Sequence, residues 1–187
     1  MKLRIFIAIL AMLLPVAAWA HPGHGGSGFI SGLAHPFSGL DHVLGMLAAG
    51  VWAARSDGIR CWLILAAFLG GMLAGGMLGL DGIVPPLIES AVAASVLATA
   101  LLVALAIRLP LPAQAGAAAF FALWHGIAHG AELPEMAAPL GYACGFLAAT
   151  AVLLASGLAL GSMLRNTRRD RWLGAGLALL AVTLFGA

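Results

Sequence analysis

Two clusters of histidines and acidic residues are the part of this chain that could do chemistry. Both combine imidazole with carboxylate, at His35, Asp41 and His42 in one cluster and at His125, His129 and Glu132 in the other. This mixture of ligands suits Zn, Ni, Co, Fe or Cu, whereas Mg and Ca prefer oxygen ligands alone. The two clusters therefore predict a site for a divalent transition metal ion.

The second cluster has the spacing of ligands on one face of a helix. It lies at the end of an apolar run that begins near Ala113. If that run is helical, His125, His129 and Glu132 fall at i, i+4 and i+7 and share one stripe. Two imidazoles one turn apart can bind a single metal ion. Glu132 also has a simpler interpretation, as a solvated carboxylate in the following loop.

The first cluster stands at the start of an earlier apolar run. Pro36 suits the first turn of a helix, so His35 is expected near the N-cap. His35 and His42 are seven residues apart and would then lie on one face. Asp41 has two open roles, either as a metal ligand or as the acceptor that holds an imidazole in the right tautomer.

Composition places the chain in a lipid bilayer. Hydrophobic residues make up 63% of the 187 residues and charged residues only 9%, with a mean hydropathy of +1.06. A soluble domain has about a quarter of its residues charged. The formal charge of +2 is small and scattered, which argues against nucleic-acid binding. We predict an all-α, polytopic membrane helix bundle.

The N-terminus has the three parts of a secretory signal peptide. Basic residues at Lys2 and Arg4 precede an apolar core over residues 5–14 and an A-x-A motif that ends at Ala20. We predict cleavage after Ala20, which removes residues 1–20. An uncleaved first span is the alternative, but the apolar core is shorter than the roughly 20 residues that a span needs.

A short extracytoplasmic segment, residues 21–34, follows the predicted cleavage site. It begins with His21 and His24. Short histidine-rich tracts bind metal ions weakly, so these two residues are candidate ligands that gather metal. The open alternative is a solvated terminal tail.

Six further apolar runs follow, each near the length of a transmembrane helix. They cover residues 35–54, 61–80, 86–109, 113–131, 138–163 and 172–186. The sequence thus predicts a six-helix transmembrane domain over residues 35–187. The loops between the runs are too short to contain a soluble domain.

Glycines recur at four-residue spacing within these runs. On the second run, Gly71, Gly75 and Gly79 have the spacing that lets helix backbones approach closely in lipid. Gly126 and Gly130 alternate with the histidines of the fourth run. We expect these two instead to leave open space beside the imidazoles.

Positive charge alternates along the loops. Arg55 and Arg60 flank the first loop, Arg108 precedes the third, and four arginines crowd the fifth, whereas the second and fourth contain only acidic charges. The positive-inside rule makes the first, third and fifth loops cytoplasmic. Both ends of the mature chain would then be periplasmic in a bacterial inner membrane. Both histidine clusters would reach the same, outer face.

With these motifs the chain resembles the HupE/UreJ family of hydrogenase and urease accessory proteins. The resemblance covers nearly the whole mature chain and rests on His-Pro-Gly-His after the signal peptide, H-x5-D-H at His35, Asp41 and His42, and H-x3-H with a following acid at His125, His129 and Glu132. It implies a secondary permease that imports nickel, with cobalt as an alternative substrate, for metalloenzyme maturation. It also implies that these motif residues bind the metal.

Secondary transport agrees with the lack of a nucleotide-binding P-loop, since the only lysine is Lys2. We therefore expect no enzymatic activity and no prosthetic group, with Ni²⁺ or Co²⁺ bound only in transit. Two alternatives stay open. One is a membrane-embedded hydrolase with a catalytic Zn at the same residues, and the other is a metal-binding accessory protein that does not transport. The sequence allows a homo-oligomer but does not determine the oligomeric state.

Overall fold

The computed structural model describes residues 28–133, 138–165 and 168–186. These residues form seven α-helices and no strand, so the all-α prediction is confirmed. The helices are α1 (Gly28–Ala34), α2 (Leu40–Ala53), α3 (Ile59–Leu80), α4 (Ile88–Ala104), α5 (Leu111–Ala131), α6 (Pro139–Leu164) and α7 (Arg168–Val182). Short 3₁₀ turns cover His35–Phe37 and Thr183–Gly186. The predicted signal peptide, His21 and His24 lie outside the described residues.

Two of the described helices, α3 and α6, are long and apolar enough to cross a membrane. They contain 22 and 26 residues and have a mean hydropathy of 2.1. The apolar helices α2 and α4 are shorter, with 14 and 17 residues. Six spans and a cleaved signal peptide therefore stay predictions.

The first predicted run is not one continuous helix. His35 begins a 3₁₀ turn, and Ser38 Oγ donates a hydrogen bond of 2.6 Å to the His35 carbonyl. Gly39 is extended, with φ −113° and ψ 134°, so α2 begins only at Leu40. The expectation that a helix begins at His35 is wrong, because Gly39 breaks it. In addition, α1 forms within the segment that the sequence analysis assigned to no helix, and it packs on α6.

Helix α2 occupies the centre of the bundle. Every residue from Val43 to Ala54 is buried. The helix packs mainly against α6 and α4, with further contacts to α3 and α7. A helix that is apolar all round is expected in such a surrounded position. This packing sets His42, near the start of α2, at one end of the bundle interior.

The most extensive helix contact, between α3 and α5, depends on glycine. Gly71, Gly75 and Gly79 of α3 lie directly against the backbone of α5, as their spacing predicts. Gly126 and Gly130 of α5 lie equally close to the backbone of α3, where a Cβ atom would collide with carbonyl groups. The expectation of open space beside these two glycines holds in part. An apolar cavity between α3, α5 and α6 is lined by both glycines and by His129, but α3 fills the side of each glycine on which a Cβ would lie.

Candidate metal site

Three imidazoles from separate parts of the chain meet at one end of the bundle. His35 comes from the 3₁₀ turn, His42 from the start of α2 and His129 from the last turn of α5. Each offers one ligand nitrogen, and these nitrogens lie within 4.8 Å of one another. A metal ion binds imidazole nitrogen at about 2.0–2.1 Å, so two of its ligands lie up to about 4.2 Å apart. The cluster is thus close to the spacing of a single metal site.

The rings meet edge to face. The ring centroids of His42 and His129 are 4.0 Å apart at 78°, and those of His35 and His129 are 4.8 Å apart at 83°. Nε2 of His35 lies 3.1 Å from Nδ1 of His129, a hydrogen bond whose direction depends on the tautomers. Nε2 of His129 is buried and has no hydrogen-bond partner among the described residues. When Nδ1 of His129 carries the proton, this Nε2 keeps a lone pair that can bind a metal ion.

Two carboxylates accompany the three imidazoles. Asp41 Oδ2 lies 2.6 Å from the buried Nδ1 of His42. Glu132, the C-cap of α5, has Oε2 3.7 Å from His35 Nε2 and 3.8 Å from His129 Nδ1. The position of Asp41 favours an orienting role at His42. Glu132 is half exposed, and its carboxylate stands at the mouth of the cluster.

His125 lies one helical turn deeper than His129 and outside the group of three. Its ring centroid is 6.4 Å from that of His42, and its side chain is 2% exposed. Nε2 lies 3.1 Å from Ser95 Oγ of α4. Ser95 donates its only proton to the Val92 carbonyl at 2.7 Å, so its oxygen accepts from Nε2–H. On this basis we assign the proton of His125 to Nε2, which leaves a lone pair on Nδ1.

The sequence analysis did not identify Ser95. A serine inside an apolar helix is itself a signal of a buried polar partner, because an unsatisfied hydroxyl is costly away from water. Thr99, one turn further along α4, is also buried, and it donates a hydrogen bond of 2.8 Å to the Ser95 carbonyl. The partner of Ser95, however, lies 30 residues away on α5.

Helix α6 contributes an aromatic wall that the sequence analysis also missed. Phe146 lies 4.6 Å from His129 between ring centroids, and Tyr142 lies 5.8 Å from His35. An apolar cavity of about 280 Å³ adjoins this wall between α3, α5 and α6. Apolar surroundings limit solvent access to metal ligands. In the sequence these aromatics look like ordinary core residues.

The structure thus brings together five of the predicted site residues, His35, Asp41, His42, His129 and Glu132. It sets His125 one turn deeper, with Ser95. His21 and His24 fall outside the described residues. The arrangement can bind a borderline-soft divalent cation through nitrogen and oxygen.

Comparisons with known proteins agree with the motifs. The family model described as HupE / UreJ protein matches residues 9–184. Protein HupE of Rhizobium leguminosarum bv. viciae is 44% identical over 160 residues, which cover 86% of this chain and 84% of that protein. A comparison with solved structures gives no match. The chain therefore belongs to the HupE/UreJ family.

Proposed function

We propose that this protein is a secondary permease that imports a divalent transition metal ion for hydrogenase or urease maturation. Nickel is the first candidate substrate and cobalt the second. The HupE/UreJ family consists of membrane proteins related to hydrogenase and urease accessory functions and to nickel and cobalt transport. The observation that carries the proposal is the cluster of His35, His42 and His129 with two carboxylates beside it.

The ligand set supports transport because a carrier must release what it binds. Imidazole and carboxylate bind nickel and cobalt without the thiolates that would favour softer ions. Both cysteines are free, and neither belongs to the cluster, since Cys61 donates to the Gly58 carbonyl and Cys144 is exposed on α6. A site of this composition combines selectivity for transition metals with release.

The position of the cluster supports entry from the periplasm. His42 stands at the start of α2 and Arg55 just beyond its end, about 20 Å apart for a helix of 14 residues. Under the positive-inside rule the arginine end is cytoplasmic, which leaves the histidine end and both mature termini outside. A divalent cation moving inward gains about 4.6 kcal/mol per 100 mV, twice the value for a unit charge. The membrane potential alone could therefore drive accumulation.

Buried polar side chains also lie elsewhere in the bundle. The described chain buries Ser95, Thr99, Gln114, His125 and Thr150 in addition to His129. Polar groups within spans usually face a cavity, a partner or a transport path. We assign His125 and Ser95 to the first step of the path beyond the three-histidine cluster.

Metal uptake tests the proposal directly. The unaltered chain, His42→Ala or His129→Ala would be expressed in cells that lack their own high-affinity importers. The accumulation of labelled nickel and of labelled cobalt is then measured. We expect uptake by the unaltered chain and its loss in both variants. The matched control is Phe120→Ala, which removes a ring from α5, the helix of His129. Phe120 is 53% exposed, and its variant should retain uptake.

Two results would contradict the proposal. An unaltered protein that is correctly inserted but accumulates neither metal is not a permease, and tight binding without uptake would then favour the accessory interpretation. Metal-dependent cleavage of a lipid or peptide by the pure protein would favour the hydrolase interpretation. Equal membrane levels of all variants, measured by immunoblot, exclude a simple loss of expression.

A further inference from the structure

An arginine cavity lies at the end of the bundle opposite the histidine cluster. Its volume is about 410 Å³, and its cationic lining consists of Arg55, Arg108, Arg165, Arg168 and Arg171. Two aspartates, Asp57 and Asp170, also line it. Five guanidinium groups against two carboxylates leave a formal charge of +3. A concave surface with this excess of positive charge attracts anions.

Three of these arginines already have partners in the fold. Arg55 binds Asp170 at 3.1 Å and donates to carbonyl groups at the end of α4. Arg165 binds Asp57 at 2.7 Å and donates to the last carbonyl after α2, while Arg171 donates to another carbonyl of α4 at 3.1 Å. These bonds attach the three arginines to carbonyl groups at the C-terminal ends of α2 and α4. They also neutralise both aspartates of the cavity.

Arg108 and Arg168 are the two cations that remain. Both are exposed and line the cavity, and neither forms a hydrogen bond or an ion pair with another residue in the described part of the chain. The first turn of α7, which begins at Arg168, also lines the cavity and adds the partial positive charge of a helix N-terminus. Guanidinium groups bind phosphate with two parallel hydrogen bonds. The guanidinium donors of Arg108 and Arg168 therefore match a phosphate group.

A second, more apolar crevice continues from the arginine cavity. It is lined by Ala104, Trp172 and Ala175 and shares Arg168 and Arg171 with the cavity. Trp172 is 75% exposed. Tryptophan is enriched at the level of lipid headgroups, with its ring against the acyl chains. The polar cavity and the apolar crevice beside it thus match the headgroup and the acyl chain of a phospholipid.

We propose that the arginine cavity binds a phosphate group, carried by the headgroup of an anionic phospholipid whose chain lies along Trp172. Basic pockets between helices at the membrane surface recognise such headgroups. The site is separate from the histidine cluster, and the proposal does not depend on metal transport. Inorganic phosphate is the other source of the same chemistry, and the experiment distinguishes the two.

The first experiment measures retained lipid by native mass spectrometry. The full chain would be reconstituted with equal amounts of phosphatidylglycerol and phosphatidylcholine, then released into mild detergent. We expect the unaltered protein to retain phosphatidylglycerol preferentially. Arg108→Gln and Arg168→Gln should each lower that retention by about fivefold, the effect of one arginine near an anionic surface. Arg169→Gln is the matched control, because Arg169 is exposed on the same first turn of α7 but lines neither the cavity nor the adjoining crevices.

A second arm tests free phosphate. Sodium phosphate would be added to the detergent-solubilised protein, with sodium chloride at equal ionic strength as the control, while the thermal midpoint is followed. A stabilisation that both variants lose, without a preference for phosphatidylglycerol, would assign the cavity to inorganic phosphate. The proposal is overturned if neither probe is preferred by the unaltered protein. It is equally overturned if Arg169→Gln lowers binding as much as the cavity variants do, since the effect would then be general surface charge.

Discussion

Single residues have different roles within the histidine region. His35, His42 and His129 lie close enough to share one ion, with Asp41 beside His42 and Glu132 at the mouth. His125 lies outside this group and contacts a hydroxyl group of α4. Its Nε2–H points to Ser95, whose own proton is used on a backbone carbonyl, so Nδ1 stays unprotonated. A small hydroxyl on α4 thus determines what a buried imidazole on α5 can do.

The pair of Ser95 and His125 predicts a measurable loss of stability. Ser95→Ala leaves the buried Nε2–H of His125 without an acceptor, which should lower the free energy of unfolding by about 1–3 kcal/mol. Ser162→Ala is the control, because that serine is exposed and donates to a carbonyl of its own helix at 2.7 Å. We expect its effect to stay within about 0.5 kcal/mol. Thermal or denaturant unfolding of the purified protein in detergent measures both.

A double-mutant cycle separates the hydrogen bond from general packing. In a His125→Leu background the donor is gone, so Ser95→Ala should cost much less than it does in the unaltered protein. The same loss in both backgrounds would show that Ser95 contributes through packing alone. The assignment of the His125 tautomer to Ser95 would then be wrong.

Between elements, the close contact of α3 and α5 holds the site in place. Glycines on both helices let the backbones touch, and the last turn of α5 delivers His129 to the cluster. Because Gly126 and Gly130 lie on the same helical turns as His125 and His129, packing and ligand position are coupled. A change at this contact should move the imidazoles as well as loosen the bundle.

This coupling predicts opposite effects for two glycines of the same helix. Gly126→Ala sets a Cβ against the backbone of α3 and should destabilise the protein by about 1–3 kcal/mol through overpacking. Gly116→Ala meets nothing within 4 Å and should be neutral or stabilise by up to about 1 kcal/mol, as expected for alanine in a helix. Unfolding in detergent compares them. Equal stability of the two variants would contradict the close contact.

In the whole molecule, the two candidate binding sites lie at opposite ends of the helix bundle. The histidine cluster occupies one end, and the arginine cavity occupies the other. Helix α2 joins them, with His42 near its start and Arg55 just after its end. The proposed orientation of this axis across the membrane rests on the positive-inside rule and is open to direct measurement.

Cysteine labelling tests the orientation. In a background of Cys61→Ser and Cys144→Ser, single cysteines would replace Asp81 or Asp57, which are both exposed and lie at opposite ends of α3. We expect a membrane-impermeant maleimide to label position 81 in intact spheroplasts and position 57 only after lysis. The reverse pattern would invert the proposed topology and would place the histidine cluster in the cytoplasm.

The sequence by itself determined the features that depend on local order. Its apolar composition indicated a helical membrane protein, and the spacing of His125 and His129 indicated one face of a helix. The four-residue spacing of Gly71 and Gly75 correctly predicted a close helix contact. Motifs of this kind also carried the family assignment. All of these follow from 3.6 residues per turn and from which side chains water or lipid will accept.

Only the tertiary structure decided which residues meet. The break at Gly39 turns His35 toward His129, a residue 94 positions later in the chain. Ser95 became visible as the partner of His125, and α3 was found to fill the side of Gly126 on which a Cβ would lie. Helical periodicity specifies the face on which a side chain lies but not the neighbour that covers this face. The neighbour is chosen by the packing of all the helices together, which no local pattern contains.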